Sequence, residues 1–215
     1  MNDRPNSKPN GPARQADPST RQKILRAARK AFADKGKAGA RVDHIADQAG
    51  VNKAMIYYHF QSKDNLYMEV IRDFYSHIKT IAYGHLDQSV SFETTLTLLA
   101  ENFARLFDRI SEFKPIILRE LANPNPVVLD EIAKIFHESG IIARLMARVV
   151  SAEEAGEIRE IDIVQGIISF VTMNLGYVLM APLMDRLANI HDSREFANER
   201  KRAVVDIFLY GLKPR

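Results

Sequence analysis

Lys53, Tyr57, Tyr58 and His59 fall within one segment, V-D-H-I-A-D-Q-A-G-V-N-K-A-M-I-Y-Y-H-F, running from Val42 to Phe60. A cation, two phenols and an imidazole on so short a helix make a surface suited to meeting a partner, because exposed tyrosines do little for solubility. The pattern is that of a helix-turn-helix whose second helix faces DNA. Its rival is a helical hairpin in an ordinary all-α core with the tyrosines half-buried. Bond-breaking chemistry has less to stand on. No G-x-S-x-G, G-x-G-x-x-G, phosphate-binding loop or H-E-x-x-H occurs, since His137-Glu138 is followed by Ser-Gly-Ile. The chain has no cysteine, which removes disulfides, thiolate metal sites and cysteine nucleophiles. Asp73 and His77 lie one turn apart, as metal ligands can, yet two such residues on an ordinary helix read as a surface pair. The expectation is a chain that is not an enzyme and needs no cofactor or metal.

The elements that would hold those side chains follow from the same stretch. Ile45, Ala46 and Ala49 give a first helix a small apolar face that lets a second approach closely. Gly50 ends it, Val51 plugs the space between the two helices, and Asn52 can accept from the free N–H groups of a helix starting near Lys53. Ile56 and Phe60, four apart, form its inner face. Upstream, Thr20 to Gly36 is amphipathic, with Ile24, Ala28, Ala31 and Phe32 at helical spacing and either Ser19 (with Gln22) or Thr20 as its cap. The result is a basic three-helix unit.

The order T-R-Q-K-I-L-x-A-A-x-x-x-F-A-x-K-G, I-A-x-x-A-G-V-x-K-x-x-I-Y-x-H-F and S-K-D-N-L resembles the N-terminal domain of the TetR/AcrR family of transcriptional regulators, over about Thr20 to Leu66. The remaining two thirds are similar only in generalities, among them I-L-R-E-L around Arg119 and the closing Y-G-L-K-P. The sequence departs from the family pattern at Arg41, where a capping Thr or Ser is usual, and at Ala54 and Met55. The resemblance implies phosphate contacts from Lys53, Tyr57, His59 and Lys63, helped by Thr20 and Arg41. Ala54, Met55 and Tyr58 are then the candidates for base edges, the first two favouring thymine methyl groups. Met55 has the alternative of packing between helices.

Charge divides the same way. Residues 1–65 carry thirteen Lys and Arg against six Asp and Glu, whereas residues 66–215 carry seventeen against twenty-one. A basic front and a mildly acidic back suit a polyanion-binding domain joined to one with another task. The first eighteen residues, with four prolines, three asparagines and no apolar run, read as a disordered arm rather than a signal peptide. Arg4, Lys8 and Arg14 there either brush DNA or belong to a neutral leader. The organisation expected is an arm over 1–18, a helix-turn-helix domain over 19–65 and a ligand-binding and dimerisation domain over 66–215, all-α throughout.

In that second part the apolar periodicity predicts helices over Lys63 to Ala82, Phe92 to Ile110, Pro115 to Ala122, Val127 to Val150 with a kink at Ser139-Gly140, Asp162 to Leu187, and Ser193 to Leu212. Ile163 to Met184 has no charge and the length to span a bilayer, but Gln165, Ser169, Thr172, Asn174 and Pro182 spread polarity over several faces. A buried helix of a cytoplasmic protein, without membrane insertion, is the reading preferred. The family resemblance implies that the last two helices pair with a second copy. Ile167, Phe170, Val171, Asn174, Val178, Val204, Val205 and Phe208 are candidates for that homodimer face, intrachain core being the other reading. Candidates for a cavity are Phe103, Phe107, Phe113, Ile117, Phe136, Met146, Met173 and Tyr177, with Asn102, Arg105, His137 and Asn174 for polar contacts; core packing is the alternative for each.

The expected function is a ligand-responsive repressor that binds a palindromic, double-stranded operator as a dimer and is released by a small apolar or aromatic effector. In such a mechanism the ligand favours a state in which the helix from Lys63 moves and spreads the two recognition helices. The competing reading is an all-helical small-molecule carrier without specific DNA binding.

Overall fold

A computed structural model describes residues 18–83, 90–109, 112–189 and 193–212, all of them in helices or the turns between helices. The expected arm lies almost wholly outside the described residues. The helices are α1 (Pro18–Gly39), α2 (Val42–Ala49), α3 (Lys53–Phe60), α4 (Lys63–Tyr83), α5 (Phe92–Arg109), α6 (Lys114–Ala122), α7 (Pro126–Ser139), α8 (Ile141–Glu154), α9 (Ile163–Leu187) and α10 (Ser193–Leu212).

Two differences from the sequence expectation have local causes. Helix α1 already includes Pro18, so Ser19 and Thr20 lie inside its first turn rather than capping it, and a proline there forgoes only an N–H that no helix could use. The stretch expected as one kinked helix after Val127 is two, because Gly140 takes a left-handed conformation between α7 and α8. Two other expectations hold at residue level. Gly50 is left-handed at φ 65°, and the Asn52 side chain accepts from the Ala54 N–H at 2.9 Å.

Two cores organise the molecule. The first joins Ile24, Phe32, Ile45, Ile56, Leu66 and Val70 of α1 to α4 with Phe113, Ile116 and Val128 from the later helices. Residue 66 falls inside α4, and the apolar packing runs across it without a break. The second core gathers Phe92, Leu96, Val149, Phe170, Val204 and Leu209 from α5, α8, α9 and α10.

Among the described residues no single helix is long and apolar enough to cross a membrane. Helix α9 bends by 60° between Tyr177 and Leu179. Pro182 lies inside it, and a proline ring clashes with the carbonyl four residues earlier, which places the break at residue 178.

Candidate functional site

Helix α3 is short, buries Ile56 and Phe60 completely or nearly so, and leaves its other faces to solvent. Tyr57 and Tyr58 are 43% and 60% exposed, and Arg41, Lys53 and Ala54 are exposed beside them. Four of these five lie on α3, and Arg41 immediately precedes α2. The remaining expected DNA contacts are placed differently. Met55 is half-buried against the first core, so packing accounts for part of its surface. His59 is half-buried between Tyr58 and Phe60, with its Nε2 sealed from solvent and lacking a hydrogen-bond partner in the described structure. Thr20 is half-buried in the first turn of α1.

The two lysines are already engaged. The Lys53 ammonium pairs with Asp43 at 2.8 Å, and this carboxylate holds it above its ordinary range. Lys63 donates to the backbone carbonyls of Ala38 and Ala40 at 3.4 and 3.3 Å, fastening the start of α4 to the turn between α1 and α2. Its ammonium therefore stabilises the domain internally as well as adding positive charge.

A second site lies among the later helices, a cavity of about 330 Å³ walled by α4 to α10. Of the side chains expected to line it, Phe103, Ile117 and Phe136 do. Phe113 is instead buried in the first core and Asn102 is buried outside the cavity wall. Arg105 pairs with Glu101 on the surface, and His137 and Met146 are exposed. Met173 packs against the second core, Asn174 bonds the Phe170 carbonyl, and Tyr177 sits under the Arg200 guanidinium beside Asp185. The Phe107 side chain lies outside those described.

The face expected to meet a second copy turns inward. Ile167, Phe170, Val171 and Phe208 line the cavity, while Val204 and Val205 are buried in the second core. The Val178 side chain lies outside those described. Sequence periodicity could not separate these roles, because a helix apolar on all sides offers no phase from which to choose one face. The exposed apolar residues of the same two helices are Val164, Ile168, Met180, Leu183, Leu187, Ile207 and Tyr210.

The sequence reading also missed Lys114, Thr95 and Arg148 in the cavity wall. A signal existed for Arg148, which shares the inward stripe of Ile141, Leu145 and Ala152 on α8.

Helix α6 connects the two sites. Lys114, Ile117 and Leu121 face the cavity. Ile116 enters the first core, and the Arg119 guanidinium donates to the carbonyls of Phe32 (2.9 Å), Ala33 (2.6 Å) and Asp34 (3.2 Å). Those carbonyls are released where Gly36, at φ 67°, interrupts α1, so Arg119 caps the C-terminal end of that helix from another element. The next residue, Glu120, accepts the Tyr67 hydroxyl of α4 at 2.5 Å. Burial and that carboxylate push the Tyr67 hydroxyl well above the usual phenol range. Further out, Arg21 of α1 pairs with Glu69 of α4, and Arg72 of α4 pairs with Glu131 of α7 at 2.6 Å.

Comparison with known proteins agrees with this layout. Residues 24–70 match the family model described as bacterial regulatory proteins, tetR family. The chain is 28% identical over 133 residues to IcaR of Staphylococcus aureus, an HTH-type negative transcriptional regulator of the biofilm operon icaADBC; the match covers 56% of this chain and 72% of that one. The fold is similar to that of PfmR from Thermus thermophilus, a TetR family transcriptional regulator, with a TM-score of 0.68 at 24% identity over 91% of this chain and 98% of that one. It is also similar to FadR of Bacillus subtilis, solved in complex with stearoyl-CoA, with a TM-score of 0.67 at 18% identity over 88% and 98% of the two chains.

Proposed function

The chain belongs to the TetR family of transcriptional regulators, and on that footing we propose that it is a ligand-responsive repressor that binds a palindromic operator as a two-fold dimer and is released by a small molecule in the cavity. The observation that carries this reading is α6, one face of which walls the cavity while Arg119 and Glu120 hold α1 and α4. A molecule that displaces α6 must either break those bonds or carry α1 and α4 with it, and the recognition helix is packed on α4 and on α2, which in turn packs on α1. For near-complete release the ligand must favour the displaced state by about 5 kcal/mol.

Arg41, Lys53 and Tyr57 are the residues assigned to phosphates, with Thr20, His59 and Lys63 in support. Ala54, Tyr58 and the exposed part of Met55 are assigned to base edges. Operator contact by Lys53 requires its ammonium to be shared between Asp43 and a phosphate. For the dimer, the exposed apolar residues Val164, Ile168, Leu183, Leu187, Ile207 and Tyr210 on α9 and α10 are the candidates in place of the face expected from sequence, because this much exposed apolar surface needs cover.

The test is substitution of Tyr57 by Ala with the cavity left intact. Operator affinity should fall by roughly tenfold or more while ligand uptake is unchanged. Equal operator binding by both proteins would remove Tyr57 from the interface, and weak binding of the wild type to all DNA alike would leave a small-molecule carrier as the better reading.

A further inference from the structure

The cations of α1 divide between two faces. Arg21, Arg29 and Lys37 pair with Glu69, Asp73 and Asp64 of α4, and Arg29 also reaches Glu112 at 3.2 Å. Lys23, Arg26 and Lys30 are exposed and have no hydrogen bond or ion pair among the described residues. They follow one another at spacings of three and four residues, so like charges stand one helical turn apart and repel. An anion laid along them relieves that repulsion. The same three side chains line an open groove of about 660 Å³, with Gln22 of α1 and with Gln48 and Ala49 of α2. Glu112 is the one carboxylate in its wall among the described residues, and it is committed to Arg29. Ammonium, guanidinium and amide groups in one open groove suit an extended polyanion.

We propose that this groove is a second contact with the operator duplex, in which Lys23, Arg26 and Lys30 grip backbone phosphates beside the segment that α3 reads. This rests on the reading of α3 as the recognition helix. Position and length both favour DNA as the polyanion. Ala49 closes α2, and the chain from it to Lys53 at the start of α3 can extend no more than about 15 Å, so the groove borders the recognition helix. Along α1, Lys23 and Lys30 are separated by about 10 Å of helix. That distance spans about three phosphates of one strand, which follow one another every 3.4 Å or so of duplex axis. None of the three cations has to give up a carboxylate to make the contact, whereas Lys53 must share its ammonium with Asp43. Contacts of this kind hold the domain on any duplex and leave the choice of sequence to α3.

Titration of operator and of unrelated DNA across a range of salt tests the proposal, joined to phosphate-ethylation interference on the operator. The proteins are the full chain as wild type, the combined variant Lys23→Met, Arg26→Met and Lys30→Met, and the combined variant Lys23→Arg and Lys30→Arg. At low salt the methionine variant should bind both DNAs roughly tenfold or more weakly, keeping the ratio between them, and its slope of log affinity against log salt should fall by about three per protomer. It should also lose interference at a group of phosphates that Lys53→Met retains. The arginine variant should behave as the wild type. An interference pattern unchanged in the methionine variant, whatever its affinity, overturns the second contact and leaves the recognition helix standing. A wild type that binds operator no better than unrelated DNA overturns the proposal together with the repressor reading.

Discussion

Lys53 and Asp43 set the balance of charge on the outward face of the recognition unit. The 2.8 Å pair is exposed, so salt and phosphate both compete with it readily. Lys53→Met should lower the slope of log affinity against log salt by about one, the signature of one lost phosphate contact. Asp43→Asn removes the competing carboxylate and should tighten operator binding roughly several-fold at low salt, with less gain as salt rises. Salt titration of operator binding by the three proteins checks both. The exposed character of Tyr57, Tyr58 and Lys53 was legible in the sequence because Ile56 and Phe60 fix the phase of α3. The burial of His59 Nε2 and the bonds from Lys63 to Ala38 and Ala40 were not, since they depend on neighbours distant in sequence or on rotamer choice.

Between elements, α6 carries the coupling. Arg119→Met would strip the cap from α1 and remove three charge-assisted bonds, two part-buried and one exposed, at a cost of about 1 to 3 kcal/mol. Thermal unfolding should register that loss. The stronger prediction is functional: the variant should still take up ligand, while ligand should release it from operator less completely than it releases the wild type. Ligand-dependent operator binding measures this directly. At α3 the demand is simpler. Asn52→Ala should cost about 1 kcal/mol through loss of the cap on Ala54 N–H, read as a lowered unfolding midpoint. Helix boundaries were legible at Gly50, Asn52 and Asp162, but not at Gly140, whose left-handed turn ends a helix that the apolar periodicity carries across, nor at Ser19 and Thr20, which lie inside α1. The cavity was less so. Phe103, Ile117 and Phe136 were found by their apolar phase, yet Phe113 has the same phase on the chain and packs in the other core, because α6 faces two neighbours at once.

Across the whole molecule, α4 and α6 belong to the first core and line the cavity together with residues of the second, and the bond between them responds to pH. The Tyr67 hydroxyl is held protonated by burial and by Glu120, whereas in the unfolded chain it ionises near the ordinary phenol value. Its folded pKa is raised, so its contribution to stability is complete below about pH 10 and is lost as pH climbs beyond that. Tyr67→Phe should remove part of this alkaline loss, and should also lower stability at neutral pH by about 1 to 3 kcal/mol because Glu120 loses its donor. Pairing of two copies through α9 and α10 predicts that Ile207→Glu with Tyr210→Glu yields a monomer in sedimentation, with operator binding weakened accordingly. The central claim, a specific regulator of DNA, is tested most directly by titrating the purified protein onto the intergenic DNA beside its own gene, across a range of salt and with unrelated DNA as competitor. Tight binding that survives the competitor and protects a palindromic footprint is the predicted result. Weak binding to all DNA alike, vanishing at modest salt, would contradict it.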